Sequence, residues 1–164
     1  MIPTRARAHT SEMARFARTK PCPEVRGGYT AFRPYVRYDF ETRCAYCLVE
    51  EVNCGGPENY ELDHFRPRSL FPEFEHDFYN IYYACHPCNL IKRAKWPSDE
   101  LRKRGVYLVD LCASDFEEHF QQGDDGVWEG KTLAARYTID ILRLNRPHLV
   151  RLRHLVSVFR MHPR

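Results

Sequence analysis

No apolar run in this chain approaches the ~20 residues that a bilayer-spanning helix needs, which argues against an integral α-helical membrane protein. The first residues, from Met1 to His9, carry charge but no apolar h-region, so a secretory signal is not expected. Internal repeats and low-complexity tracts are absent, which sets aside a repeat array or a disordered linker. The cysteines lack the even count of a closed disulfide set: there are seven, in a chain without an export signal. That combination points to a reducing, cytoplasmic setting and to metal ligation. A large excess of either charge is also absent, 25 lysines and arginines standing against 22 aspartates and glutamates for a net of only +3.

What is present describes one globular core. A chain of 164 residues suffices for a single domain and is short for two. Apolar residues make up 43% and charged residues 29%, as in ordinary globular domains. The charge is unevenly spread. Ten acidic residues face three basic ones between Asp39 and Asn80, six basic face two acidic between Lys92 and Arg104, and seven arginines face one acid between Arg136 and Arg164. An acidic centre flanked by basic segments suits a site that holds a cation within surroundings that hold a polyanion. The plainer alternative is a set of solvated helix faces.

Taken in order, residues 1–28 form a basic arm or short helix, with Thr10 and Ser11 as caps and Met13, Phe16 and Ala17 as a weak apolar stripe; Pro21, Pro23, Gly27 and Gly28 close it. Residues 29–104 form a central module. Within it, Tyr60–Phe65 and Ile81–Ala84 read as strands, and Asn89–Trp96 as a helix stopped by Pro97. Period-2 geometry sends Asp63 and His64 to opposite faces of a strand. If both serve one site the strand must end there, and Pro67 fits such an ending. Residues 105–164 form an extension: a strand-like Val106–Leu111, a turn at Gly123–Gly126 opening a return strand at Val127 and Trp128, and two helices. The first helix carries Leu133, Tyr137, Ile141 and Leu144 on one face. The second carries Leu149, Leu152, Val156 and Phe159, with Arg151, Arg153 and Arg160 outside.

The chemistry concentrates between Cys44 and Lys92. Cys44, Cys47, Cys85 and Cys88 form two CxxC knuckles, and two such turns supply the four thiolates of a tetrahedral zinc. A thioredoxin-like redox pair would instead call for a single CxxC opening a helix in a βαβ context, which the sequence lacks. Four sulfurs fill the coordination sphere, so this zinc is expected to be structural. Between the knuckles lie Asp63-His64 and Asn80, and Asn89 directly follows the second. Phosphodiester hydrolysis needs a base for water, a cation on the phosphate oxygens and positive groups on neighbouring phosphates. His64 is a natural base. Asp63 and Asn89 offer hard oxygens for Mg²⁺ or Mn²⁺, and Asn80 could hold the loop or the imidazole. Singly, an Asp-His pair is most often a surface pair or strand-end cap, and an asparagine a turn residue. The order of all four between two knuckles is what points to a site.

That order, Cys44, Cys47, Asp63-His64, Pro67, Asn80, Cys85, Cys88-Asn89 and Lys92, resembles the HNH endonucleases, the zinc-knuckle-bearing branch of the ββα-metal (His-Me finger) nucleases. The match covers about a third of the chain. It implies an α+β fold: a single small domain with a ββα-metal core stapled by a four-cysteine zinc site and flanked by helices. It also implies DNA cleavage to 5′-phosphate and 3′-hydroxyl ends, with His64 activating water, Asn80 orienting it, and Asp63 and Asn89 binding the catalytic metal. The family name expects histidine at position 89. The resulting H-N-N pattern occurs among active members too, and an amide there favours harder ions than imidazole does. The stretch from Leu142 to Val150 resembles tails of some bacterial HNH proteins.

Arg66, Arg68, Lys92, Arg93, Lys95, Arg151 and Arg153 are the candidate nucleic-acid contacts. Double-stranded DNA is the expected partner, with RNA or a required protein partner as alternatives. The rival function is a non-catalytic zinc module that binds nucleic acid, in which Asp63, His64 and Asn89 would be dispensable. A toxin or defence nuclease acting on RNA is the third.

Overall fold

The hairpin that carries Asp63 and His64 is built from two strands: β1 (Tyr60–His64) pairs antiparallel with β2 (Ile81–Cys85), Asp63 opposite Tyr82 and His64 opposite Ile81. The computed structural model describes residues 15–161, so the helix suggested around Thr10, Ser11 and Met13 lies outside the described residues. In chain order, α1 (Arg33–Asp39) precedes β1; β2 leads directly into α2 (His86–Lys92), followed by α3 (Asp99–Lys103) and α4 (Phe116–His119). A second hairpin, β3 (Phe120–Gln122) with β4 (Trp128–Gly130), then precedes α5 (Leu133–Leu142) and α6 (Pro147–Met161). The fold is a small α+β domain with six α-helices and two two-stranded antiparallel sheets among the described residues. None of these helices is long and apolar enough to cross a membrane.

Every residue of β2 is buried. It lies between α1 on one side and the first cysteine knuckle on the other, where Ala45 N donates to Tyr83 O at 2.7 Å. Aromatic rings fill the space around it: Tyr82 stacks on Phe65 at 4.7 Å and Tyr83 on Tyr60 at 4.8 Å. The segment before α1 is not helical from residue 15 to 28. Phe16 is buried against Phe40, and the Arg18 guanidinium bonds Asp39 and Phe78 O while lying over the Phe78 ring. An extended segment reaches more of these partners than one helical turn would.

Glu51 ties the cysteine loop to this core. Its buried carboxylate accepts from Arg37 Nε at 2.9 Å and Tyr83 Oη at 2.8 Å. The Arg37 hydrogen bond, followed by that of Tyr83, holds the Glu51 carboxyl below its ordinary range. A depressed folded value contributes stability above the unfolded pKa, and that contribution is lost as pH falls through the folded one. Glu51→Gln should therefore cost about 1–2 kcal/mol at neutral pH, the Arg37 share being reduced by solvent screening. The gap from wild type should close in acid. Urea unfolding of both proteins across pH checks this, and a gap that stays constant would remove the carboxylate's charge from the account.

Four expectations from the sequence are corrected. The helix after the second knuckle begins at His86 and ends at Lys92, not Asn89–Trp96: Pro87 presets the first turn, and Arg93 leaves the helical region with φ +46°. Val106–Leu111 forms no strand, because Val109 N donates to Thr138 Oγ1 and Leu111 O accepts from Phe16 N in place of a ladder. Of the face expected on α5, Leu144 is buried and Tyr137 and Ile141 pack partly buried against the core, but Leu133 is 56% exposed and the fully buried positions of the helix are Ala134, Ala135, Thr138 and Leu142; small alanines let the helix approach β4 and α2 closely. Finally, Phe159 at the far end of α6 is 74% exposed while Arg153 is buried. The guanidinium of Arg153 donates to Gly126 O and Leu144 O and lies 3.9 Å from the Trp128 ring centre. Gly126 makes that approach feasible: its φ is +83°, and a Cβ there would run into the α6 backbone at Val150 and His154.

Candidate active site and zinc site

The four knuckle cysteines are buried, and their sulfurs all lie within 4.8 Å of one another. Cys44 N donates to Val49 O and Leu48 N to Cys44 O, closing the first knuckle into a tight turn with Leu48 at φ +62°. Cys85 ends β2 and Cys88 sits in the first turn of α2, so strand and helix converge on the same point. Two thiolates on one zinc, each about 2.3 Å from it in a tetrahedron, stand about 3.8 Å apart, and Cys47 Sγ and Cys85 Sγ are 3.8 Å apart. The group could hold zinc on both donor chemistry and geometry. Arg146, at the turn between α5 and α6, donates from Nη2 to Cys88 Sγ at 3.2 Å. Its charge opposes the surplus negative charge that four thiolates would place on one divalent ion, and it fastens the C-terminal helices to the cluster.

On the other side of α2, a cleft of about 360 Å³ is lined by Asp63, His64 and Asn89, with Tyr29, Arg68, Ser69 and Arg93 around them. β1 ends at His64, one residue before the end expected from the sequence, and the backbone turns away through Phe65 and Pro67. Asp63 is buried and accepts at Oδ2 from Tyr46 Oη and from Lys92 Nζ, the latter at 2.9 Å. Burial raises the Asp63 carboxyl above its ordinary range while Lys92 opposes the rise; burial in turn lowers the Lys92 ammonium. With Oδ2 committed, Oδ1 is the oxygen left for a ligand. His64 donates from Nε2 to Glu75 O at 2.9 Å, and Tyr29 packs edge-on to its ring at 4.6 Å. A neutral imidazole with its proton on Nε2 carries its free lone pair on Nδ1.

Asn80 bonds the loop and not the imidazole. Its Oδ1 accepts from Arg66 N at 2.8 Å and its Nδ2 donates to Arg66 O and Phe74 O, both at 3.1 Å. These three bonds brace the loop that carries Glu75, whose carbonyl holds His64. Asn89 donates from Nδ2 to Glu61 Oε2, which leaves its amide oxygen as the free coordinating atom. Glu61 also accepts from His86 Nδ1 at 2.7 Å.

Of the basic residues singled out in the sequence, Lys92 leaves the set of exposed contacts. It is fully buried, and its Nζ also donates to His64 O at 2.6 Å. Arg153 leaves it as well, for the burial described above. Lys95 donates to Ile141 O at 3.1 Å, Arg68 pairs with Glu75 at 3.2 Å, and Arg66 lies over the Phe74 ring at 4.6 Å. Arg93 and Arg151 are exposed, and only Arg68 and Arg93 of these line the cleft. The sequence reading missed Glu61 and Tyr46 as supports of the site. Glu61 had a signal, since it is two residues before Asp63 and period-2 geometry puts both on the face that meets α2. Tyr46 had none beyond its place between the cysteines.

No family model matches the chain. It is 25% identical over 143 residues to the Septu protein PtuA of Bacillus mycoides (strain KBAB4), an alignment that takes in 73% of this chain and 20% of that protein. The chain thus spans about a fifth of that relative's length.

Proposed function

We propose that the chain is a metal-dependent endonuclease that hydrolyses phosphodiester bonds, with duplex DNA as the substrate. The observation that carries this reading is the convergence of Asp63, His64 and Asn89 on one cleft, beside a cysteine cluster that holds α2 against the hairpin. The donor set fits a hard divalent cation: a carboxylate with one oxygen committed to Lys92 and Tyr46, and an amide whose nitrogen is committed to Glu61. Asp63 Oδ1 and Asn89 Oδ1 would hold Mg²⁺ or Mn²⁺. Such an ion, when bound, neutralises charge on the phosphate and stabilises the leaving oxygen.

The rest falls to side chains. His64 takes a proton from water at Nδ1, and the imidazolium that results keeps its Nε2–H on Glu75 O, so the ring does not turn during the transfer. Asn80 acts through the loop as a positioning residue. Lys92 and Tyr46 fix the Asp63 carboxylate, which would otherwise be free to rotate. Arg68 stands at the rim as a phosphate contact, exchanging Glu75 for substrate, whereas Arg66 lies outside the cleft lining, over the Phe74 ring.

Supercoiled plasmid incubated with Mg²⁺, Mn²⁺ or EDTA, beside an equal mass of structured RNA, tests the reading. Nicked or linear plasmid should form with either metal and not with EDTA. Asp63→Ala should abolish the Mg²⁺-dependent product, and Asn89→Ala should raise the Mg²⁺ concentration required, because a neutral amide adds less to cation binding than a carboxylate. Intact plasmid with degraded RNA would transfer the activity to RNA. Tight plasmid binding without any cleavage would instead favour the non-catalytic zinc module.

A further inference from the structure

Arg93 closes α2 in a backbone conformation that ordinary residues avoid. Its φ of +46° and ψ of −130° lie outside the left-handed helical well, where Arg143, the residue that ends α5, sits with φ +51° and ψ +50°. The Arg93 values are near those of the first central position of a type II′ turn, a place dominated by glycine because a Cβ is crowded there. Backbone strain of this kind persists only where surrounding structure imposes it, and it gathers at functional sites. Here the restraint is visible. Arg93 N donates to Asn89 O at 2.9 Å, and Arg93 O accepts from Lys92 Nζ at 3.5 Å. The same ammonium holds Asp63 Oδ2 and His64 O. One buried lysine thus ties the Arg93 backbone to the backbone and carboxylate of the Asp-His pair.

The side chain gives the strain a purpose. Arg93 is exposed, lines the cleft with Asp63, His64 and Asn89, and its guanidinium has no hydrogen bond or ion pair among the described residues. The neighbouring cations are committed: Lys92 to Asp63, Arg68 to Glu75 and Lys95 to Ile141 O. An uncommitted guanidinium held at the edge of a carboxylate-containing cleft is suited to an anion with paired oxygens.

We propose that Arg93 binds the non-bridging oxygens of a substrate phosphodiester, and that the strained backbone after α2 is retained because it aims this guanidinium into the cleft. The proposal rests on the endonuclease reading for the identity of the phosphodiester, and it adds a substrate-contacting residue to it.

Arg93→Gly separates the two halves of the idea, because glycine removes the guanidinium and relieves the backbone together. Arg93→Ala removes the guanidinium and keeps the strain. Melting temperatures of wild type and both variants should place Gly at or above wild type and above Ala. Binding of a fluorescent DNA duplex in EDTA, titrated with salt, should lose about 1 from the slope of log K against log salt in both variants. Plasmid cleavage in Mg²⁺ should fall about tenfold or more in both. An unchanged salt slope together with a cleavage rate within about twofold of wild type would return Arg93 to a solvated surface role. A Gly variant melting well below both others would make the conformation a structural need, not an aiming device. A wild type that binds duplex without cutting, with the slope still lost in both variants, would end the endonuclease reading and leave the Arg93 contact standing. A wild type that cuts, with variants that cut and bind equally well, would end the Arg93 proposal alone.

Discussion

Cys88→Ser should yield protein that is unfolded or insoluble, and the same should hold for Cys44→Ser. Each thiolate is one of four that close on a single point from two knuckles, and serine cannot replace it as a soft ligand at neutral pH. Structural zinc contributes on the order of 10 kcal/mol or more in small modules. That matches or exceeds the ~5–15 kcal/mol by which domains are stable at all. The dependence is acute here because the cluster joins otherwise separate parts: the first knuckle, the end of β2, the start of α2 and, through Arg146, the turn before α6. Loss of one ligand should therefore release α2, and with it Lys92 and Asn89. Metal analysis after gel filtration should find one zinc per wild-type chain, and circular dichroism should find little native signal in the serine variants. A zinc-free chain that remains well folded would refute the assignment.

His64→Ala should leave fold and DNA binding in place while cleavage falls about 10²-fold or more, the loss associated with removing a general base. That factor corresponds to roughly 2.7 kcal/mol of transition-state stabilisation. The fold should tolerate the change because His64 ends its strand, and among the described residues its side chain bonds only to Glu75 O and packs on Tyr29. The bonds that tie this position into the core come from its backbone, where His64 O accepts from Lys92 Nζ, and these survive the substitution. Single-turnover cleavage of a labelled duplex, with melting temperature and duplex affinity measured in parallel, checks all three expectations. Activity within a few-fold of wild type would remove His64 from the mechanism. A large loss of affinity would instead make the imidazole a substrate contact.

The parts of this protein that were legible in the sequence are those whose chemistry is local. A CxxC turn brings its own two sulfurs together, so the cysteine cluster could be read from spacing once two such turns were present. The strand over Tyr60–Phe65 was legible to within one residue from its own composition and the proline that follows it, and the turn at Gly123–Gly126 followed from its own residues. Lys92 shows where such reading stops. A lysine is solvated by default, because burying an ammonium alone is costly. It becomes a core residue only because Asp63, on another element, supplies the opposite charge and His64 a carbonyl. Arg153 is the same case, with Trp128, Gly126 and Leu144 as its partners. The missing strand at Val106–Leu111 and the fully buried alanine side of α5 have a related cause, since Thr138 and the close approach of small alanines decide both. Sequence alone determined which atoms could serve as ligands and bases. The tertiary structure decided which charges leave water, because that depends on partners tens of residues away, and so it also decided which face of each helix meets the core and which basic side chain is left uncommitted at the cleft.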